Sequence, residues 1–170
     1  MSETNPRIYV ACLAAYNSGR LHGRWIDADQ GVDHIWDEIN DMLASSPILG
    51  TEEWAIHDYE NFGSIRLSEW EGIEDVAAMA TFITQHGSLG AEVLAHVHEN
   101  IDEATSLMED SYYGEYESEE DFVRSLHEGI GDIPENLEYY IDYEKMARDY
   151  FISDYFSIEV GNKIHVFINA

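Results

Sequence analysis

The chain has very little positive charge: 8 Lys and Arg stand against 35 Asp and Glu, a formal net charge of −27 over 170 residues. Between Arg66 and Arg124 there is no Lys or Arg at all. Phosphate recognition needs a basic patch, so nucleic acid is excluded as a partner, and an anionic membrane surface would repel the chain. There is one cysteine, Cys12, in the apolar run IYVACLAAY. It reads as a buried strand residue, allows no disulfide framework, and fits a reducing cytoplasm as the expected location. No stretch approaches the roughly 18 apolar residues of a membrane span. The start, MSETNPRIYV, lacks the basic-then-apolar pattern of a signal peptide.

Chemical motifs are also missing. There is no G-x-S-x-G, no phosphate-cradling glycine loop and no C-x-x-C. Carboxylate pairs for glycosidase-type hydrolysis arise by chance among so many acids, so their spacing carries almost no information. His96 and His98 point to different faces of a helix. Glu92, His96 and Glu99 share a face, but neither a zinc pattern nor a complete calcium loop surrounds them. The expectation is a non-enzyme without metal or cofactor.

What is present is enough apolar material to fold. Hydrophobic residues make up 45% and aromatics 12%, which separates the chain from a disordered acidic tail. The acids are spread throughout, 11 in residues 1–60, 10 in 61–110 and 14 in 111–170. The protein therefore folds against its own repulsion.

The pattern predicts an α+β fold. Residues 7–13 read as a strand, AYNSG (15–19) as a turn and 21–28 as a second strand. A helix follows, with Ile35, Ile39, Met42 and Leu43 on one stripe and Asp33 as N-cap. A third strand over 52–60 completes a β-β-α-β unit. Ser68 and Glu71 have capping-box spacing ahead of a helix carrying Ile73, Val76, Ala77 and Ala80. HGSLG (86–90) separates this from a second helix-compatible run. DSYYGEYESEED (110–121) reads as a loop, and Ser118 opens a helix with Phe122, Val123, Leu126 and Ile130. GDIP (131–134) breaks it, with Pro134 in the first turn of a further helix whose apolar face is Leu137, Tyr140 and Ile141. Gly161-Asn162 between two β-rich runs is a two-residue hairpin signal. Three small units are expected: an N-terminal α+β domain (1–62), a helical middle (63–104) and a C-terminal α+β domain with a terminal hairpin (105–170). Most aromatics should pack in cores, while Tyr112, Tyr113, Tyr116 and Tyr155 are candidates for interfaces.

The acids carry the sharper hypothesis. Duplex DNA has one charge per about 1.7 Å of axis, so 27 net charges match roughly 46 Å of duplex. Glu71/Glu74/Asp75, Glu99/Asp102/Glu103 and Glu117/Glu120/Asp121 have spacings that place neighbours about 5–6 Å apart on a helix. Rows at that pitch can stand in for phosphates, and imitation needs no base edges where affinity comes from backbone contacts. The plain alternative is a solvated acidic face.

The stretches IYVACLAAYNSGRLHGRWIDA (8–28), EEWAIHDYE (52–60) and YIDYEKMARDYFISDYF (140–156) resemble the ArdA antirestriction family. The resemblance implies an elongated, curved chain of three small domains, two protomers forming an arc, and carriage on plasmids or conjugative transposons. It also implies competitive inhibition of type I restriction–modification enzymes by occupation of the DNA-binding channel around the specificity subunit. In the matching stretches it points to Asp27, Glu52, Glu53, Asp58, Glu60, Asp142, Glu144, Asp149 and Asp154, with Glu135 and Glu138 just before the last. Asp142 could instead cap a helix entered at Tyr143, and Asp149 could pair with Lys145. Gly19 and Gly23 match the family's glycines and are expected to serve turns. A homodimer is implied, its interface expected in the C-terminal third. The competing readings are an acidic module that sequesters another basic DNA-binding protein, a carboxylate-pair hydrolase, and a charge-tolerance protein with no partner.

Overall fold

A computed structural model describes residues 5–169. It is an α+β fold with two small antiparallel sheets, and it divides into two compact units, Met1–Ile101 and Asp102–Ala170.

In the first unit β1 (Arg7–Cys12) is followed by a single helical turn, α1 (Leu13–Asn17), where the sequence suggested only a turn. β2 (Gly23–Asp27), α2 (Val32–Ala44) and β3 (Trp54–Glu60) complete the expected β-β-α-β order. The sheet order is β2-β1-β3, so β1 is central, and its Ile8, Val10, Ala11 and Cys12 are buried. The α2 stripe supplies buried Ile35, Ile39 and Met42. Asp33 is not the N-cap: that position is Gly31, and Asp33 lies in the first turn, where its charge suits the helix dipole.

Gly19 does serve a turn, at φ +79°. Gly23 does not. It lies in β2 opposite Ala11, where an added Cβ would come within 2.6 Å of the Val10 carbonyl oxygen and 2.7 Å of the Tyr9 ring. Only glycine allows the strands to approach there.

α3 (Ile73–His96) is two helices joined at Gly87, whose φ of 69° and ψ of −153° interrupt the helical path within the expected HGSLG break. Ile73, Val76, Ala77 and Ala80 are all buried, as their spacing required. The capping-box reading of Ser68 and Glu71 needs correction. The Ser68 N–H donates to Glu71 Oε2, but the Glu71 N–H donates to the Ser68 carbonyl rather than to its hydroxyl, and the pair closes a turn ahead of the helix, whose N-cap is Gly72.

The second helix-compatible run also ends early, with His98 and Glu99 at positive φ. α4 (Ile101–Ser106) and a π turn (Leu107–Ser111) follow. The supposed loop at 110–121 contains β4 (Tyr112–Tyr116), which pairs with β6 through a register shift at Gly114. Ser118 caps α5 (Glu119–Ile130) by accepting the Asp121 N–H, as expected. α6 is one turn, Glu135–Glu138, with Pro134 at its N-cap. Its anticipated apolar face packs inward only in part: Ile141 lies against the buried cluster of this unit, whereas Leu137 and Tyr140 are exposed. α7 (Tyr143–Ser153), β5 (Tyr155–Val160) and β6 (Lys163–Ile168) finish the chain, with Gly161-Asn162 as the hairpin turn.

The second sheet has order β4-β6-β5. Phe122, Val123, Tyr143, Ala147 and Val166 form its buried cluster. The tyrosines considered for interfaces make ring contacts here, Tyr113 while remaining exposed. Tyr113, Tyr116 and Tyr155 meet Phe122 edge-on at ring distances of 5.7, 5.0 and 5.0 Å, and Tyr112 lies against Phe167 and His165. Edge-to-face contacts suit the ring quadrupoles.

Candidate functional site: the carboxylate surface

None of the sequence-selected acids is buried. Asp27, Glu71, Glu120 and Asp121 are half-buried, and the other members of the set are exposed. The fold places many of them by one rule. Glu74 and Asp75 occupy the first turn of α3, Asp102 and Glu103 that of α4, Glu120 and Asp121 that of α5, Glu135 and Glu138 that of α6, and Glu144 that of α7. The unpaired N–H groups at a helix start carry about half a positive charge, so acids there stabilise their own helix before meeting any partner.

This corrects the geometry of the three triads. Glu71, Glu99 and Glu117 each precede the helix that carries their two companions, so none of the triads is a continuous helical row. Glu99 also fails as a helical neighbour of Glu92 and His96, because it has φ 63° beyond the helix end. Among the described residues no group of three or more His, Cys, Asp or Glu could hold a metal ion.

Several of the acids have internal partners. The Arg7 guanidinium donates to Glu60 Oε2 at 2.5 Å and lies opposite both Asp27 and Glu60 in the sheet register. The bond to Glu60 is the chief reason the Arg7 pKa lies above its ordinary value; burial opposes it, and the charges of Glu60 and Asp27 add to it. Lys163 pairs with Glu117, and Arg124 reaches Glu120 at 3.1 Å. Asp142 caps α7 by accepting the Lys145 N–H. The Lys145–Asp149 pair considered from the sequence is not among the ion pairs of the described residues. Asp58 Oδ1 accepts the Tyr59 N–H at 2.8 Å, and Ser153 Oγ donates to Asp154 at 3.3 Å.

Two grooves collect carboxylates. One, in the first unit, encloses about 480 Å³ and is lined by Glu52, Glu53, Glu69, Glu71 and Glu74 together with Trp36, Trp54 and Trp70. Glu69 and the three tryptophans were not singled out as partner-binding. The one sequence signal for Glu69, Trp54 and Trp70 is the interleaving of EEW, SEW and WEG along the chain, and Trp36 lies outside it. The other groove, in the second unit, encloses about 570 Å³ between α5, α7 and the sheet, and joins Glu117, Glu119, Glu120, Glu144 and Glu159 to Arg148.

A histidine also draws attention as acid–base chemistry. His127 Nδ1 lies 2.8 Å from Asp132 and Nε2 lies 2.7 Å from the Tyr150 hydroxyl. Both ring nitrogens are thus occupied, Nδ1 by the loop that follows α5 and Nε2 in fastening α5 to α7.

These features define an acidic α+β protein whose selected carboxylates lie outside the buried cores. No helix is long and apolar enough to cross a membrane among the described residues. The sequence model of the antirestriction protein family ArdA matches residues 8–163, nearly the whole chain, and the protein belongs to that family. No curated protein matches it.

Proposed function

We propose that this antirestriction protein is a DNA mimic: its arrayed carboxylates occupy the DNA-binding channel of type I restriction–modification enzymes and inhibit restriction competitively. The observation that carries the reading is the outward placement of the acids in a member of this family. A net charge of −27 on one folded chain supplies the field that a channel evolved for phosphates attracts. Inhibition of this kind needs no turnover, so the protein acts as an inhibitor rather than an enzyme, in the cytoplasm, where its target handles DNA. The partner surface comprises the exposed members of the acidic set. Asp27, Glu60, Glu117 and Glu120 contribute less, because cations of the chain itself face them.

The functional form is a homodimer that joins through the C-terminal unit. Tyr139 and Tyr140 there are 94% and 81% exposed, an apolar surface suited to burial between two copies. Two-fold symmetry suits a target with two DNA half-sites.

The test is displacement of fluorescent duplex DNA from a purified type I methyltransferase core. Displacement near one dimer per enzyme, weakened by salt, is the expected result. No displacement at large excess would sink the reading and favour sequestration of a different basic DNA-binding protein.

A further inference from the structure

Trp70 is 66% exposed, yet its turn is fixed. The Ile56 N–H donates to the Glu69 carbonyl at 3.0 Å and ties the turn to β3. Within the turn, the Ser68 N–H donates to Glu71 Oε2 at 3.1 Å, and the Trp70 N–H donates to Ser68 Oγ at 3.2 Å. An indole left in water forgoes the gain that burial would bring. Here the fold holds one at the edge of a groove whose other aromatics, Trp36 and Trp54, meet edge to face at 5.5 Å.

The groove's chemistry selects its occupant. Aromatic faces attract cations, tryptophan most strongly, and the five glutamates that line the groove repel anions. No Lys, Arg or His lines it. The N-terminus of α3 opposes a cation there with about half a charge, which the glutamates outweigh. A guanidinium fits better than an ammonium. It is planar, stacks on indole and presents a fork of donors to carboxylates.

We propose that this groove receives an arginine side chain of the protein partner, stacked on Trp70 and paired with Glu52, Glu53 or Glu69. The inference rests on the proposed function, since a DNA-binding channel is where such arginines are presented. It adds to that reading one local anchor within an otherwise distributed charge surface.

The direct test titrates ethylguanidinium chloride into the full chain at constant ionic strength and follows the indole N–H resonances by NMR. Saturable shifts are expected at Trp70, Trp54 and Trp36, with weaker response to ethylammonium. The combined Glu52→Gln, Glu53→Gln and Glu69→Gln variant should bind about threefold more weakly or worse. Linear shifts, equal shifts with sodium, or equal movement of Trp25, which lies under Arg7 outside the groove, would overturn the proposal. In the DNA-displacement assay, Trp70→Ala should raise the required concentration about tenfold with an unchanged salt slope. Undiminished inhibition by that variant would overturn the arginine anchor. Failure of the wild type to displace DNA would remove the mimicry reading, while the guanidinium titration would still judge the groove.

Discussion

Asp142 Oδ1 accepts the Lys145 N–H at 3.0 Å and so closes the start of α7. The residue is both a candidate phosphate substitute and a helix cap, and two substitutions separate the roles. Asp142→Ala removes cap and charge and should lower stability by about 1 kcal/mol. Asp142→Asn keeps an equivalent cap while removing the charge, and should leave stability nearly unchanged. Urea denaturation of the two variants checks this. Equal destabilisation would mean that the charge, not the cap, matters to α7.

Gly23→Ala should disturb the first unit. The new methyl would stand against the Val10 carbonyl, which belongs to the central strand and cannot swing aside as a side chain would. A loss of about 1–3 kcal/mol is expected, read as an earlier urea midpoint. Gly129→Ala, where nothing lies within 4 Å, is the matched control and should be neutral or slightly stabilising.

Inhibition should decline by degrees as acids are neutralised. Any single Asp→Asn or Glu→Gln change in the exposed set removes about one charge of 27, and should weaken DNA displacement well under tenfold. Changing Glu135, Glu138, Glu144 and Asp149 together should weaken it more than about tenfold and flatten its dependence on salt. An order-of-magnitude loss from one of those four alone would contradict a distributed charge surface.

The Tyr112 hydroxyl and His165 Nδ1 share a hydrogen bond of 2.7 Å between β4 and β6. Burial pushes the His165 pKa below its ordinary 6.5, against the opposing pull of Glu115. Below pH 6.5 the unfolded chain therefore binds a proton more readily than the folded one, so this contribution to stability is intact above that value and falls as the pH drops through it. NMR titration of the imidazole should place its midpoint below 6.5. The stability gap between wild type and His165→Asn should move against the wild type between pH 7.5 and 5.5. A midpoint above 6.5 would reverse the sign.

The parts of this fold written in local patterns were legible from sequence. Ile35, Ile39 and Met42 announce α2 by their spacing, and Gly161-Asn162 announces the hairpin. β4 was not legible. Its residues, Tyr-Tyr-Gly-Glu-Tyr, read as an acidic loop, and the strand exists because β6, about fifty residues later, supplies the partner. Ser68 and Glu71 show a subtler failure. The Glu71 side chain does reach back to the Ser68 N–H, but the Ser68 hydroxyl accepts from the Trp70 N–H and Gly72 caps the helix, so the pair holds a turn and displays Trp70. For the carboxylates, residue type and exposure were readable, whereas their placement at helix starts depended on boundaries a few residues wide. Such boundaries are the least local part of a helix's definition.

β4 is the outer strand of its sheet, and an outer strand offers backbone donors and acceptors to any other extended chain. This one carries the exposed Glu115 beside the irregular step at Gly114. The charge that dominates the composition thus also guards the molecule against sticking to itself. Acidification that protonates these side chains would leave the strand as an open template for aggregation, so the protein's solubility and its fold should fail by separate routes as the pH falls.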